Sequence, residues 1–262
     1  MTSNSAEMPF LEHLAELRKR LIQCVIGLSV ATLFTYQYAD VLFGWLTIPI
    51  RESFAQLELI GTGPAEAFIA KLKVGVAAGI VLSIPYSFYQ LWLFVAPGLH
   101  EHEKRFALPF VAVSTVFFLS GILFCFKVVL PVAFAYFSDE FLSVGVHPSI
   151  RIGEYFGFVV KMCLVFGVVF ELPIVAYFLA RMKLLSHKAL LSRFRYSLVG
   201  IFIIAGILTP PDVISQCLLA GPLLIIYALC IGVTYYAHPD EVAKRKGTPP
   251  PASGPPAPVQ PS

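Results

Sequence analysis

The chain has 262 residues, of which 57% are hydrophobic and only 13% charged, where soluble domains run at about 45–50% and about 25%. Its mean hydropathy is +0.78. This composition excludes a water-soluble globule and disorder over most of the length, and a net charge of +3 is too small to point to a nucleic-acid partner.

In chain order, the first element is an amphipathic stretch at 10–20. Leu11, Leu14, Leu17 and Leu21 recur at helical spacing, with Glu12 and Glu16 four residues apart on the opposite face. This predicts a helix lying on the membrane surface and running into a first apolar run at 21–38, with Arg18, Lys19 and Arg20 at the junction. By itself the stretch reads first as an interfacial anchor whose basic end sets topology. Paired carboxylates beside anionic lipid are what an anchor leaves unexplained.

A loop at 39–73 follows, with Trp45, Pro49 and the turn Gly61-Thr62-Gly63-Pro64. It predicts a short surface helix and a turn. The second apolar run, 74–95, ends in Trp92 and Phe94, placed as an interfacial aromatic belt. Pro97-Gly98 then turns the chain, and Glu101 and Glu103 enter the first turn of a third helix, where the dipole favours carboxylates. The adjoining His100-Glu101-His102 is a weak metal signal, and no metal is expected.

The third run, 106–137, carries Lys127 and Pro131; the fourth, 155–180, carries Lys161, Glu171 and Pro173. Each proline removes a helical hydrogen bond, so both helices should kink near their charged residue. The lysines are expected to snorkel outward, whereas Glu171 needs water or a partner. The fifth run, 196–208, spans only ~20 Å against a ~30 Å hydrocarbon core. Thr209-Pro210-Pro211-Asp212 makes a minimal loop in which Asp212 caps the sixth run, 213–231, and Gln216 lies one turn inside. Residues 238–262 are Pro-rich and predict a disordered tail.

Six runs put both termini on one side. That side holds thirteen lysines and arginines, and the other holds four, so both termini are expected in the cytoplasm. The five cysteines form no CxxC and read as small buried hydrophobes. No phosphate-cradling loop, GxSxG or HExxH occurs, so neither an enzyme nor a cofactor is expected. No cleavable leader is read at the N-terminus, and no internal repeat is visible.

Four segments together resemble the TatC family: His13-Leu14-Ala15-Glu16-Leu17-Arg18-Lys19-Arg20, Pro97-Gly98-Leu99 through Glu103, Phe170-Glu171-Leu172-Pro173, and Leu208-Thr209-Pro210-Pro211-Asp212 through Gln216. The resemblance covers about residues 10–236. It implies an all-α membrane protein of six transmembrane helices in a cupped, concave arrangement, with the fifth and sixth short. It also implies a receptor for signal peptides bearing two consecutive arginines, in the bacterial cytoplasmic membrane. With single-span TatA and TatB partners, and in several copies, such receptors support transport of folded proteins driven by the proton-motive force. On this resemblance Glu16 and Glu103 hold the arginine pair, Phe94 packs beside them, and Arg18 and Arg20 brace the site and touch lipid headgroups. Glu171, Thr209 and Gln216 match partner contacts, and Pro49 and Asp212 match outer-loop positions tied to translocation or assembly. The alternative is a secondary transporter in which Glu171 and Lys161 serve a solute or proton.

Overall fold

The computed structural model describes residues 7–54, 59–95, 107–145, 148–209 and 212–238. The expected tail therefore lies outside the described residues, as do Pro97, Gly98, Glu101, Glu103, Pro210 and Pro211.

The amphipathic stretch and the first span form one unbroken helix, α1 (Glu7–Tyr36). Among the described residues no break separates the amphipathic stretch from the span; at ~1.5 Å per residue its 30 residues reach ~45 Å, enough to cross and project. The chain then bends by 80° into α2 (Ala39–Leu46) and α3 (Ile48–Ser53), two short helices where one was expected. After β1 (Leu59–Ile60), α4 (Glu66–Val95) begins eight residues before the expected run. α1 packs along α4 because Gly79 removes a side chain from the contact. A Cβ there would stand 2.7 Å from the Cα of Thr32. One turn away, Thr35 Oγ1 donates to the Gly75 carbonyl at 2.8 Å.

The third span is α5 (Ala107–Phe124), a π-helical turn at Cys125–Val129, and α6 (Leu130–Val144). Pro131 has no N–H for the Lys127 carbonyl and its ring crowds that carbonyl, so the preceding turn widens. The Leu130 N–H accordingly reaches back five residues to Cys125. β2 (Ile150–Arg151) pairs in parallel with β1, matching Leu59 to Ile150, a small ladder between two loops that the sequence did not announce. The fourth span is α7 (Ile152–Phe170) and α8 (Leu172–Arg181), broken at Glu171 with Pro173 in the new first turn. Both prolines thus interrupt regular α-helix near the charged residue, one with a π turn and one with a break.

α9 (His187–Ser192) precedes α10 (Phe194–Leu208), which is short at 15 residues. The expectation of a short sixth helix is corrected. α11 (Val213–Ala237) has 25 residues, because the helix continues past residue 231 through Thr234 and the tyrosines to Ala237, with His238 as its extended C-cap. Among the described residues, Glu66–Phe94, Leu108–Val144, Ile152–Arg181 and Val213–Ala237 are each long and apolar enough to cross a membrane. α1 with its bent continuation makes a fifth such segment, and α10 is a shorter apolar helix.

α7 is the central helix. Phe156, Val159 and Phe166 are fully buried against Val74, Leu130 and Leu219. Outward-facing Leu33, Leu123, Ile207 and Ile225 are more than half exposed, the surface a hydrocarbon solvent requires. Cys125, Cys163 and Cys230 are buried as expected, whereas Cys217 is exposed.

Candidate functional site

At the N-terminal ends of α1 and the C-terminal end of α4, the fold gathers a compact polar group. Glu16 Oε1 accepts from Arg20 Nη2 at 3.3 Å, one helical turn along α1. Arg20 Nη1 donates to Gln90 Oε1 on α4 at 3.1 Å. Glu16 and Arg20 keep 31% and 22% of their side-chain surface exposed, so the pair sits at a mouth and not in a core. Gln90 is buried. The His13 ring stacks on Phe94, with centroids 4.4 Å apart and planes 21° apart. Glu16, Arg20 and Phe94 are therefore brought together; Arg18 is exposed on another face of α1. Trp92 is not an interfacial belt residue. It is 3% exposed, and it packs with Phe110 and Phe178 to tie the end of α4 to α5 and α8.

Between the faces, a groove of about 1010 Å³ runs among α1, α2, α4, α5 and α7, lined by Phe34, Tyr38, Trp45, Val81, Leu119 and Leu164. Lys127 stands at this groove, its ammonium 5.8 Å from the Phe126 ring centre. Glu171 sits at the α7–α8 break, and its Oε1 and the Oγ of Ser114 on α5 are both buried. Lys161 does not simply snorkel. Its Nζ donates to the Ile207 carbonyl at 2.8 Å, closing an orphan acceptor in the last turn of α10.

At the opposite face, Thr209 Oγ1 donates to the Ala205 carbonyl at 2.9 Å and finishes α10. Gln216 Nε2 crosses from α11 to the Phe202 carbonyl at 2.7 Å, in space left by Gly206, where a Cβ would lie 3.0 Å from that nitrogen. Asp212 caps α11: Oδ1 accepts the Ser215 N–H at 2.7 Å, and Oδ2 accepts the Ser215 hydroxyl. The Ser215 hydroxyl and then its N–H hold the Asp212 carboxyl below the usual carboxylate range. Pro49 is buried in the first turn of α3, apart from these groups.

Residues 12–222 match the family described as Sec-independent protein translocase protein, TatC. The chain belongs to the TatC family. It is 41% identical over 236 residues to the TatC of Desulforapulum autotrophicum, covering 88% of this chain and 86% of the relative. It is 38% identical over 238 residues to that of Carboxydothermus hydrogenoformans, covering 89% and 96%. A crystal structure of the twin-arginine translocase receptor TatC superposes with a TM-score of 0.80 at 34% identity, covering 86% of this chain and 99% of the other. The chain is thus a multi-pass membrane protein of a protein translocase, with the six-helix fold of that family.

Within this TatC-family fold, Lys161 on α7 is spent on the Ile207 carbonyl of α10, while Glu171 lies at the α7–α8 break. Thr209 and Gln216 each spend a donor on α10 backbone. Glu103 lies outside the described residues. Two functional neighbours escaped the sequence reading. Gln90 is one, 70 positions from Arg20 and set in an aromatic run that gives it no periodicity. Glu66 is the other. It accepts from Thr62 N–H at 2.6 Å and from the Gly153 N–H at 3.0 Å, fastening the loop before α4 to the start of α7. The Gly-Thr-Gly-Pro turn just before it was the one available signal.

Proposed function

We propose that this chain is the signal-peptide receptor of a twin-arginine translocase. It sits in a bacterial cytoplasmic membrane with both termini in the cytoplasm, and the cationic excess on that side supports this orientation. It works in several copies with single-span TatA- and TatB-type partners to pass folded proteins, drawing on the proton-motive force. It performs no chemistry of its own and takes no cofactor. Residues 1–237 form the membrane domain, and 238–262 form a free cytoplasmic tail.

The observation that carries this reading is the Glu16 carboxylate, about a third exposed. It already holds one guanidinium, that of Arg20, at a mouth walled by Phe94 and His13. A carboxylate with an oxygen still open to solvent suits the fork of an arginine. Glu103 supplies the second carboxylate, so that each arginine of the peptide meets one acceptor. The apolar stretch of the peptide follows the groove lined by Phe34, Val81 and Leu119. Glu171, Thr209 and Gln216 serve partner helices, while Pro49 and Asp212 hold the outer loops in shape for assembly.

The test is equilibrium binding of a twin-arginine signal peptide and its twin-lysine counterpart to the purified full chain in detergent. The arginine peptide should bind more tightly. Glu16→Gln and Glu103→Gln should each weaken it by about 1–3 kcal/mol, the range for hydrogen bonds to charged groups. Equal binding of the two peptides, unmoved by either substitution, would refute the receptor assignment.

A further inference from the structure

Arg20 is itself an arginine held by a carboxylate that the proposed function reserves for arginine. Its contact with Glu16 is single and 3.3 Å long, where a charge-assisted hydrogen bond usually measures about 2.7–2.9 Å. The i,i+4 spacing on α1 tethers both side chains. An arginine arriving from outside carries no such tether and can present two N–H groups in parallel. It therefore competes for Glu16 on better terms than its resident.

Releasing Arg20 would ordinarily be costly, because the guanidinium is mostly buried and would lose its counter-charge. The fold supplies acceptors for it. Gln90 Oε1 already binds Nη1, and Gln90 is only 5% exposed, so that acceptor is fixed in place. Arg20 Nε is buried and, among the described residues, has no hydrogen-bond partner, and the same holds for the Oε1 of Gln23. Gln23 lies three residues along α1, on the same helical face as Arg20. One orphaned donor and one orphaned acceptor thus stand a turn apart, beside a guanidinium whose carboxylate contact is long.

We propose that Arg20 is the resident occupant of the Glu16 carboxylate, that the peptide's arginine displaces it, and that Gln90 and Gln23 receive it. This rests on Glu16 being an arginine acceptor. The exchange makes Arg20, Gln90 and Gln23 specificity-determining residues. A lysine ammonium, a point donor without the fork, displaces a resident guanidinium poorly. Discrimination between arginine and lysine then comes from competition within the receptor as well as from the contact itself.

The experiment measures the affinities of the twin-arginine and twin-lysine peptides for the full chain in detergent, across single and double variants. Arg20→Gln should narrow the arginine-over-lysine preference about tenfold, chiefly by raising lysine-peptide affinity, since the competitor is gone. Gln90→Leu and Gln23→Leu should each weaken the arginine peptide about three- to tenfold. Gln90→Glu, which keeps an acceptor for Arg20, should bind the arginine peptide at least as well as the parent, showing that position 90 acts through its acceptor and not through packing. In a Glu16→Gln background these effects should vanish. If Arg20→Gln weakens both peptides alike, or if the Gln90→Leu loss persists at full size in the Glu16→Gln background, the exchange is wrong and the residues only brace the helix ends. If Glu16→Gln alone moves neither peptide, Glu16 is no acceptor, and both the receptor assignment at this residue and the exchange are overturned.

Discussion

Asp212 shows how much one side chain carries at the short turn between α10 and α11. Its carboxylate accepts the Ser215 N–H and hydroxyl, and those bonds hold its pKa below the usual range. A carboxyl with a depressed pKa contributes stability that is complete above the ordinary carboxylate pKa and is lost as the pH falls through the lowered value. Asp212→Ala should therefore lower the melting temperature in detergent at neutral pH, by the equivalent of about 1 kcal/mol for a lost helix cap. The gap from the parent should close as the medium is acidified below the ordinary carboxylate range, and a gap that stays constant would contradict the capping role. Asp212 was legible from sequence because capping is a local rule. Gln90 was not, since nothing local marks a glutamine in an aromatic run as the partner of an arginine on another helix.

At the scale of elements, the irregular segments sit where chain chemistry requires them. Pro131 places a π turn in the third span, and Pro173 breaks the fourth at Glu171. Both were readable, since a missing N–H has the same effect in any fold. The length of α11 was not, because the apolar run ends at 231 while the helix continues on backbone bonds and side chains such as Thr234. α10 is too short to rely on its own lipid contacts, and Lys161 holds its end through the Ile207 carbonyl. Lys161→Leu should destabilise the protein by about 1–3 kcal/mol, with faster backbone hydrogen exchange confined to the end of α10 and the start of α11. Unchanged exchange there would mean that the lysine merely snorkels.

At the scale of the whole molecule, charge distribution predicts the orientation and packing makes the two faces. In intact cells, with exposed Cys217 replaced by serine, a membrane-impermeant maleimide should label Gly61→Cys and spare Lys188→Cys. Both positions are exposed, and an added side chain at Gly61 meets no neighbour. The reverse pattern would invert the proposed topology. The sequence by itself determined the solvent of this protein, the approximate place of its spanning segments and the prolines that interrupt two of them, and a family resemblance nominated Glu16 and Phe94 as candidates. These follow from composition, from hydrophobic runs, from proline chemistry and from motifs contiguous along the chain. Only the tertiary structure decided that Arg20 already occupies Glu16 and is shared with Gln90, that Trp92 is buried, that Glu66 joins the loop before α4 to the start of α7, and that Lys161 closes α10. Apart from the Glu16–Arg20 contact one turn along α1, each of those is a contact between helices or loops distant in sequence, and one chain carries no local signal for a partner 46, 70 or 87 positions away.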